Sequence, residues 1–128
     1  MDKLFIAMGS FAAFIGVGLG AFGAHGLRNR LSEQMLAVWK TGVDYQMIHA
    51  LGLILVGILI YLYTSHGATG MALLKFAGWL FLLGIFLFSG SLYLLAILEI
   101  HKIGMITPFG GLAFLAGWLA LAIGIIRQ

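Results

Sequence analysis

A few polar side chains interrupt the long apolar stretches of this sequence, and they are the first candidates for chemistry. Histidine can exchange a proton near neutral pH or bind a metal ion. Tyrosine, glutamine, serine and threonine can hold a ligand through hydrogen bonds. Such groups are costly in apolar surroundings unless they are paired, so each needs a structural or a functional reason. The candidate ligand-binding residues are His25, Tyr45, Gln46, His49, Ser89, Ser91, Tyr93 and Thr107.

The two histidines of this set allow two interpretations each. Tyr45 and His49 lie four residues apart and therefore share one face of a helix. His49 could carry a proton or bind a ligand, or it could simply hydrogen-bond to a neighbouring helix. His25 lies among small residues, where Gly26 could end a helix. It could join His49 at the mouth of a pocket, or it could meet water at the helix end.

Several kinds of site are disfavoured by what the sequence lacks. The absence of cysteine excludes disulfides, thiolate metal sites and cysteine nucleophiles. His25, His49, Glu99 and His101 are suitable ligand types, but no His-Glu-x-x-His spacing occurs, so we predict no metal. No phosphate-binding loop or dinucleotide fingerprint occurs, which predicts no cofactor. No nucleophile elbow or nucleophile–base pair is recognisable, so we predict no catalytic residues and regard an enzyme as the least favoured class.

The start of the last apolar run, at Thr107 and Pro108, is rich in small residues. Its free backbone N–H groups could hold an anion. The alternative is a tight turn in which Thr107 caps the helix.

The composition indicates a membrane protein. The chain of 128 residues is 62% hydrophobic and only 9% charged, whereas soluble domains average about 25% charged residues. A soluble domain of this size could not hide so much apolar surface. The net charge of +3 does not indicate nucleic-acid binding, because Lys3, Arg28, Arg30 and Arg127 lie at chain ends or just beyond apolar runs.

Four apolar runs are long enough to cross a bilayer, at about residues 4–24, 45–63, 71–98 and 108–126. A short polar connection, residues 64–70, joins the second and third runs. Residues 25–44 are more polar, but their apolar residues have helical spacing and Ser32 could be an N-cap. We therefore predict an all-α membrane protein, a four-transmembrane-helix bundle with an interfacial amphipathic helix between spans 1 and 2, forming one domain over residues 1–128.

The polar candidates fall on one side of this arrangement. Because successive spans alternate in direction, all eight lie near the two longer connections, and the opposite half has almost no polar side chain except Ser10. The connection side carries Arg28, Arg30, Lys40 and Lys102, whereas the terminal side carries Lys3, Lys75 and Arg127. The positive-inside rule then places the connections inside the cell and both termini outside.

Small residues recur every four positions on the first and last spans. These stripes are Ala12, Gly16, Gly20 and Ala24, and then Ala116, Ala120 and Gly124. Small residues allow membrane helices to approach closely. We therefore predict that spans one and four pack tightly, either with each other or with a second subunit.

Four strings carry a resemblance to a known family. They are GAFGAHGL at 20–27, TGVDYQMIHA at 41–50, FSGSLY at 88–93 and TPFGG at 107–111. Together they resemble a small bacterial membrane-protein family of unknown function that includes YgdD and YwdK, with transmembrane protein 256 as an animal relative. The resemblance covers nearly the whole chain and implies a short multi-span protein of the bacterial plasma membrane. It implies no activity and supplies no catalytic residues.

The sequence leaves two hypotheses for the function of the protein. The first is binding or transport of a small ligand, lipid or proton through a one-sided polar pocket. The alternative is a non-catalytic accessory or assembly subunit of a larger membrane complex, docked through the small-residue stripes. The expected partners are membrane lipids and either a second copy of the chain or another membrane subunit, and not nucleic acid.

Overall fold

The computed structural model describes residues 1–64 and 70–128, and the regular elements of this part are all helical. They are α1 (Asp2–His25), α2 (Glu33–Tyr63), α3 (Met71–Gly84), α4 (Gly90–Leu98) and α5 (Thr107–Ile126). A π-helical turn, Ile85–Ser89, joins α3 to α4, and together they form the third span. A 3-10 turn, His101–Met105, precedes α5. Most of the polar connection predicted at residues 64–70 lies outside the described residues.

Four helical segments are long and apolar enough to cross a membrane: Asp2–His25, Glu33–Tyr63, Met71–Leu98 and His101–Ile126. The prediction of an all-α protein with four spans is therefore confirmed. Gly26 ends the first helix as predicted, with its N–H bonded to the Phe22 carbonyl.

The segment before the second span differs in one respect from the prediction. Ser32 is the N-cap, as predicted, and its Oγ accepts a hydrogen bond from the Met35 N–H at 3.2 Å. However, the amphipathic segment is not a separate helix, because α2 runs unbroken from Glu33 into the span. No proline interrupts it. The Lys40–Asp44 ion pair, at 2.6 Å, also supports the helix just before the predicted start of the span.

The four spans pack in chain order. α1 packs on α2, α2 packs on the third span, and the third span packs on α5. Near its start, α1 also reaches the third span through Phe5, whose ring lies 5.6 Å from that of Trp79. The centre of the core is formed by fully buried side chains from several spans, including Phe5, Leu53, Leu74 and Phe81.

Glycines spaced seven residues apart allow these close contacts. On α1 the buried glycines are Gly9, Gly16 and Gly23, and on α5 they are Gly110, Gly117 and Gly124. Seven residues are close to two helical turns, so such glycines stay on one face along a shallow helix crossing.

Of the two alternatives for the small-residue stripes, the one in which spans one and four pack on each other is wrong, because α1 packs on α2 and α5 on the third span. The α1 glycines face α2, where a Cβ at Gly9 would lie 2.6 Å from the Ala50 carbonyl oxygen. Those of α5 face the third span, where a Cβ at Gly124 would lie 3.2 Å from the Leu73 Cβ. A four-residue stripe drifts around the helix, which leaves Ala24 and Ala116 exposed. Docking of the exposed faces on a second subunit stays a prediction.

Candidate functional site

The predicted pocket residues lie towards one end of the structure, but they form several separate contacts. Gln46 and Tyr93 meet between α2 and α4. Tyr45 and His49 lie beside α5, and Ser89 contacts α2. Ser91 and Thr107 contact each other, while His25 is exposed at the end of α1.

Gln46 connects three helices. Its side chain is buried, and its Nε2 donates to the Ala12 carbonyl oxygen of α1 at 2.8 Å. The Tyr93 hydroxyl of α4 donates to Gln46 Oε1 at 2.7 Å. A primary amide has two N–H donors and the tyrosine oxygen retains acceptor capacity, so this pair could still accept and donate to a ligand.

His49 is buried and held through both ring nitrogens. Its Nδ1 lies 2.7 Å from the Tyr45 carbonyl oxygen, and Trp118 Nε1 donates to its Nε2 at 3.0 Å. The indole N–H can only donate, so Nε2 must accept and the ring proton belongs on Nδ1. The His49 ring also stacks on Phe114, with centroids 3.4 Å apart. This geometry matches the hydrogen-bonded interpretation of His49.

The serines and Thr107 bond within the protein. Ser89 lies in the π-turn and its Oγ donates to the Gly42 carbonyl oxygen at 2.6 Å. Ser91 Oγ donates to the Phe88 carbonyl oxygen at 2.9 Å and lies 2.6 Å from Thr107 Oγ1. The alternative in which Thr107 caps the last helix is wrong, because α5 begins at Thr107 itself and no side-chain cap is formed.

A lateral groove opens between α1 and the third span, with a volume of about 500 Å³. We call it the tail groove. Gln46 and Tyr93 are its polar residues, and the rest of its lining is apolar or glycine. It is lined by Met8, Phe11, Ala12, Ile15, Leu19, Gln46, Leu82, Ile85, Phe86, Gly90 and Tyr93.

A second groove, of about 660 Å³, lies between α2 and α5 and is rich in aromatic side chains. It includes Tyr45, His49, Phe88, Phe114 and Trp118. The sequence reasoning missed Phe114 and Trp118. The available signal was the indole N–H of Trp118, which needs an acceptor within an apolar span.

Within residues 1–64 and 70–128, no three histidine, aspartate or glutamate side chains come close enough to hold a metal ion. Several hydrogen bonds of the candidate residues, those of Gln46, His49 and Ser89 among them, instead connect helices to one another. Chemically, the arrangement can accept or donate hydrogen bonds from the wall of a mostly apolar groove.

Comparison with known proteins agrees with this architecture. Residues 19–111 match the family described as "Protein of unknown function (DUF423)". The chain is 48% identical over 125 residues to UPF0382 membrane protein SH2409 of Staphylococcus haemolyticus, covering 98% of this chain and 97% of that one. It is 45% identical to UPF0382 membrane protein YwdK of Bacillus subtilis, covering 98% of both chains. No solved structure matches significantly. The chain is therefore a member of the DUF423 family of small membrane proteins.

Proposed function

We propose that this protein binds a lipid-like ligand whose apolar chain lies in the tail groove. The observation that carries the proposal is the combination of an almost wholly apolar groove with one polar pair, Gln46 and Tyr93, in its wall. The groove volume of about 500 Å³ falls within the range of small-molecule sites, roughly 300–1,000 Å³.

Helix packing explains why the tail groove is open to a lipid acyl chain from the bilayer. α1 packs along α2 rather than along the third span, so the two walls of the groove are not pressed together. A flexible apolar chain can fill such a space from the side. However, bilayer tails are as apolar as the groove, so apolar contact alone gives little preference for a particular ligand.

The polar pair would supply that preference. One Gln46 N–H is used on Ala12, which leaves the other N–H as a donor, and the Tyr93 oxygen can still accept. Tyr93 lies five residues before the end of α4 at Leu98, which is about 7.5 Å along a helix. The favoured ligand is therefore a long-chain lipid with a carbonyl or hydroxyl oxygen at this depth. Proton transfer is less favoured, because both ring nitrogens of His49 are already bonded.

Gly90 provides a direct test, since it lines the groove and a Cβ there would meet no atom within 4 Å. Gly90→Leu should fill the groove without disturbing helix packing. Gly18→Leu is the matched control, because Gly18 is equally unobstructed but lies on the outer face of α1. The measurement is native mass spectrometry of the protein purified in mild detergent, with extraction of any bound lipid.

We expect the wild type and Gly18→Leu to retain a lipid adduct that Gly90→Leu loses. Equal retention by all three proteins would contradict the proposal, as would absence of an adduct from the wild type. Circular dichroism and gel filtration would show that both variants fold.

We further propose that the protein resides in the plasma membrane, with the two longer connections in the cytoplasm and both termini outside. The likeness to bacterial membrane proteins supports the location. The distribution of basic residues, with four at the connection end and three at the terminal end, supports the orientation.

A further inference from the structure

A third space, a recess of about 470 Å³, lies where α1 ends and α2 begins. We call it the headgroup recess. It shares no lining residue with the tail groove and lies on the other side of the α1–α2 contact. On α1 it uses Gly20 and Gly23, whereas the tail groove uses Ala12, Ile15 and Leu19.

The inner wall of the headgroup recess is apolar and firmly held. Trp39 is buried, and its indole N–H donates to the Leu19 carbonyl oxygen at 2.9 Å. Its ring lies so close to Gly23 that a Cβ there would be 2.5 Å from a ring carbon. Leu36 and Val43 extend the wall along α2. A soluble anion could make little use of this surface, but a lipid chain could.

The same recess carries exposed charged side chains. Arg28, Lys40 and Asp44 contribute to its lining. Lys40 is paired with Asp44 at 2.6 Å, whereas Arg28 makes no ion pair within the described residues. The recess therefore presents one net positive charge. A guanidinium is well suited to a phosphate because its donors match two phosphate oxygens at once.

We propose that the headgroup recess binds an anionic phospholipid, with Arg28 on the headgroup phosphate and a chain against Leu36, Trp39 and Val43. Basic pockets between membrane helices attract such headgroups. Asp44 opposes the phosphate, but its pairing with Lys40 limits that repulsion. The proposed site goes beyond the tail groove, and its residues can be changed independently.

The test compares lipid binding by the purified full chain, using native mass spectrometry with an equimolar mixture of phosphatidylglycerol and phosphatidylcholine. The wild type should prefer phosphatidylglycerol, and Arg28→Gln should reduce this preference about fivefold, as expected for one basic side chain at the membrane surface. Arg28→Lys should retain most of it. Arg30→Gln is the matched control, because Arg30 is also exposed but does not line the recess.

Asp44→Asn supplies an independent arm, since it frees Lys40 and should increase the phosphatidylglycerol preference. Equal losses in Arg28→Gln and Arg30→Gln would overturn the proposal, since they would indicate diffuse attraction rather than a site. No preference in the wild type would also overturn it. Displacement of the lipid by an equal concentration of glycerol phosphate would indicate a soluble-anion site instead.

The two sites can fail separately. Gly90→Leu should leave the phosphatidylglycerol preference unchanged, because Gly90 does not line the headgroup recess. Conversely, Arg28→Gln should leave any lipid retained in the tail groove unchanged.

Discussion

The His49 ring makes contacts through both of its nitrogens and through one of its faces. Tyr45 and Trp118 engage its nitrogens, and Phe114 covers the face. A polar ring in an apolar bundle is tolerated when its hydrogen bonds are satisfied inside the protein. At this position the chemistry of the side chain therefore serves the contact between α2 and α5.

A double-mutant cycle should measure that contact. His49→Phe and Trp118→Phe each remove one partner, and each should lower the free energy of unfolding by about 1–2 kcal/mol, because an orphaned polar group remains. The double variant should lose less than the sum, with a coupling of about 0.6 kcal/mol, the average that such cycles give for hydrogen bonds within membranes. Unfolding in detergent, followed by circular dichroism, provides the measurement. Strictly additive losses would show that the hydrogen bond contributes nothing.

The sequence could predict that His49 needs a partner, but it could not predict Trp118. The two residues are 69 positions apart. Their meeting depends on the register between α2 and α5, which packing with the third span determines. The same applies to Gln46, whose partners Ala12 and Tyr93 come from two other helices. The sequence could thus predict which polar residues lie at one end of the bundle, but not which residues each of them contacts.

At the scale of the helices, glycine spacing decides which spans meet. Gly9, Gly16 and Gly23 form the α1 face that contacts α2. Helices in lipid gain little from burying apolar surface, so close backbone packing is a main source of their association. The span positions were predictable from hydropathy. The neighbours were not, because several small-residue stripes coexist on each helix and only packing selects among them.

Alanine at Gly9 should weaken this helix pair. The added Cβ would lie 2.6 Å from a backbone oxygen and 2.9 Å from a backbone nitrogen of α2, and backbone atoms cannot move aside cheaply. We expect Gly9→Ala to reduce the free energy of unfolding by about 1–3 kcal/mol. Gly18→Ala is the control and should change stability by no more than about 0.5 kcal/mol.

The measurement is thermal unfolding of both variants in the same detergent. Equal stability of Gly9→Ala and the wild type would mean that α1 does not pack closely against the α2 backbone at Gly9. A large loss in Gly18→Ala would indicate that its outer face is covered, for example by a second copy of the chain.

For the whole molecule, the packing order leaves α1 at the edge. In an 18-residue apolar stretch of α1, only 17% of the residues are buried inside the protein, compared with 44% for such a stretch of α2. Both proposed lipid sites use this helix, one on each side of its contact with α2. A peripheral helix lets bilayer lipids reach both of its flanks. An oligomer or larger complex would cover part of this surface, and the mass of the complex after mild solubilisation would test that prediction.

Membrane orientation is the last property that can be tested directly, because the natural sequence contains no cysteine. Single cysteines at exposed Lys3 and Asn29 mark the two ends of the bundle. If the connections lie in the cytoplasm, Lys3→Cys should react with a membrane-impermeant maleimide in intact cells. Asn29→Cys should react only after permeabilisation. The reverse pattern would place the headgroup recess in the opposite leaflet.

The charge argument behind this orientation can be tested in the same way. Replacing Arg28 and Arg30 with glutamine leaves two basic residues at the connection end, against three at the terminal end with Asn29→Cys and two with Lys3→Cys. Because orientation follows the distribution of Lys and Arg near span ends, Lys3→Cys and Asn29→Cys in this background should label as a mixed population. Unchanged labelling would show that another feature fixes the orientation. In the proposed topology, Arg28 of the wild type lies on the same side as the cytoplasmic leaflet. The anionic lipids of that leaflet can therefore reach it.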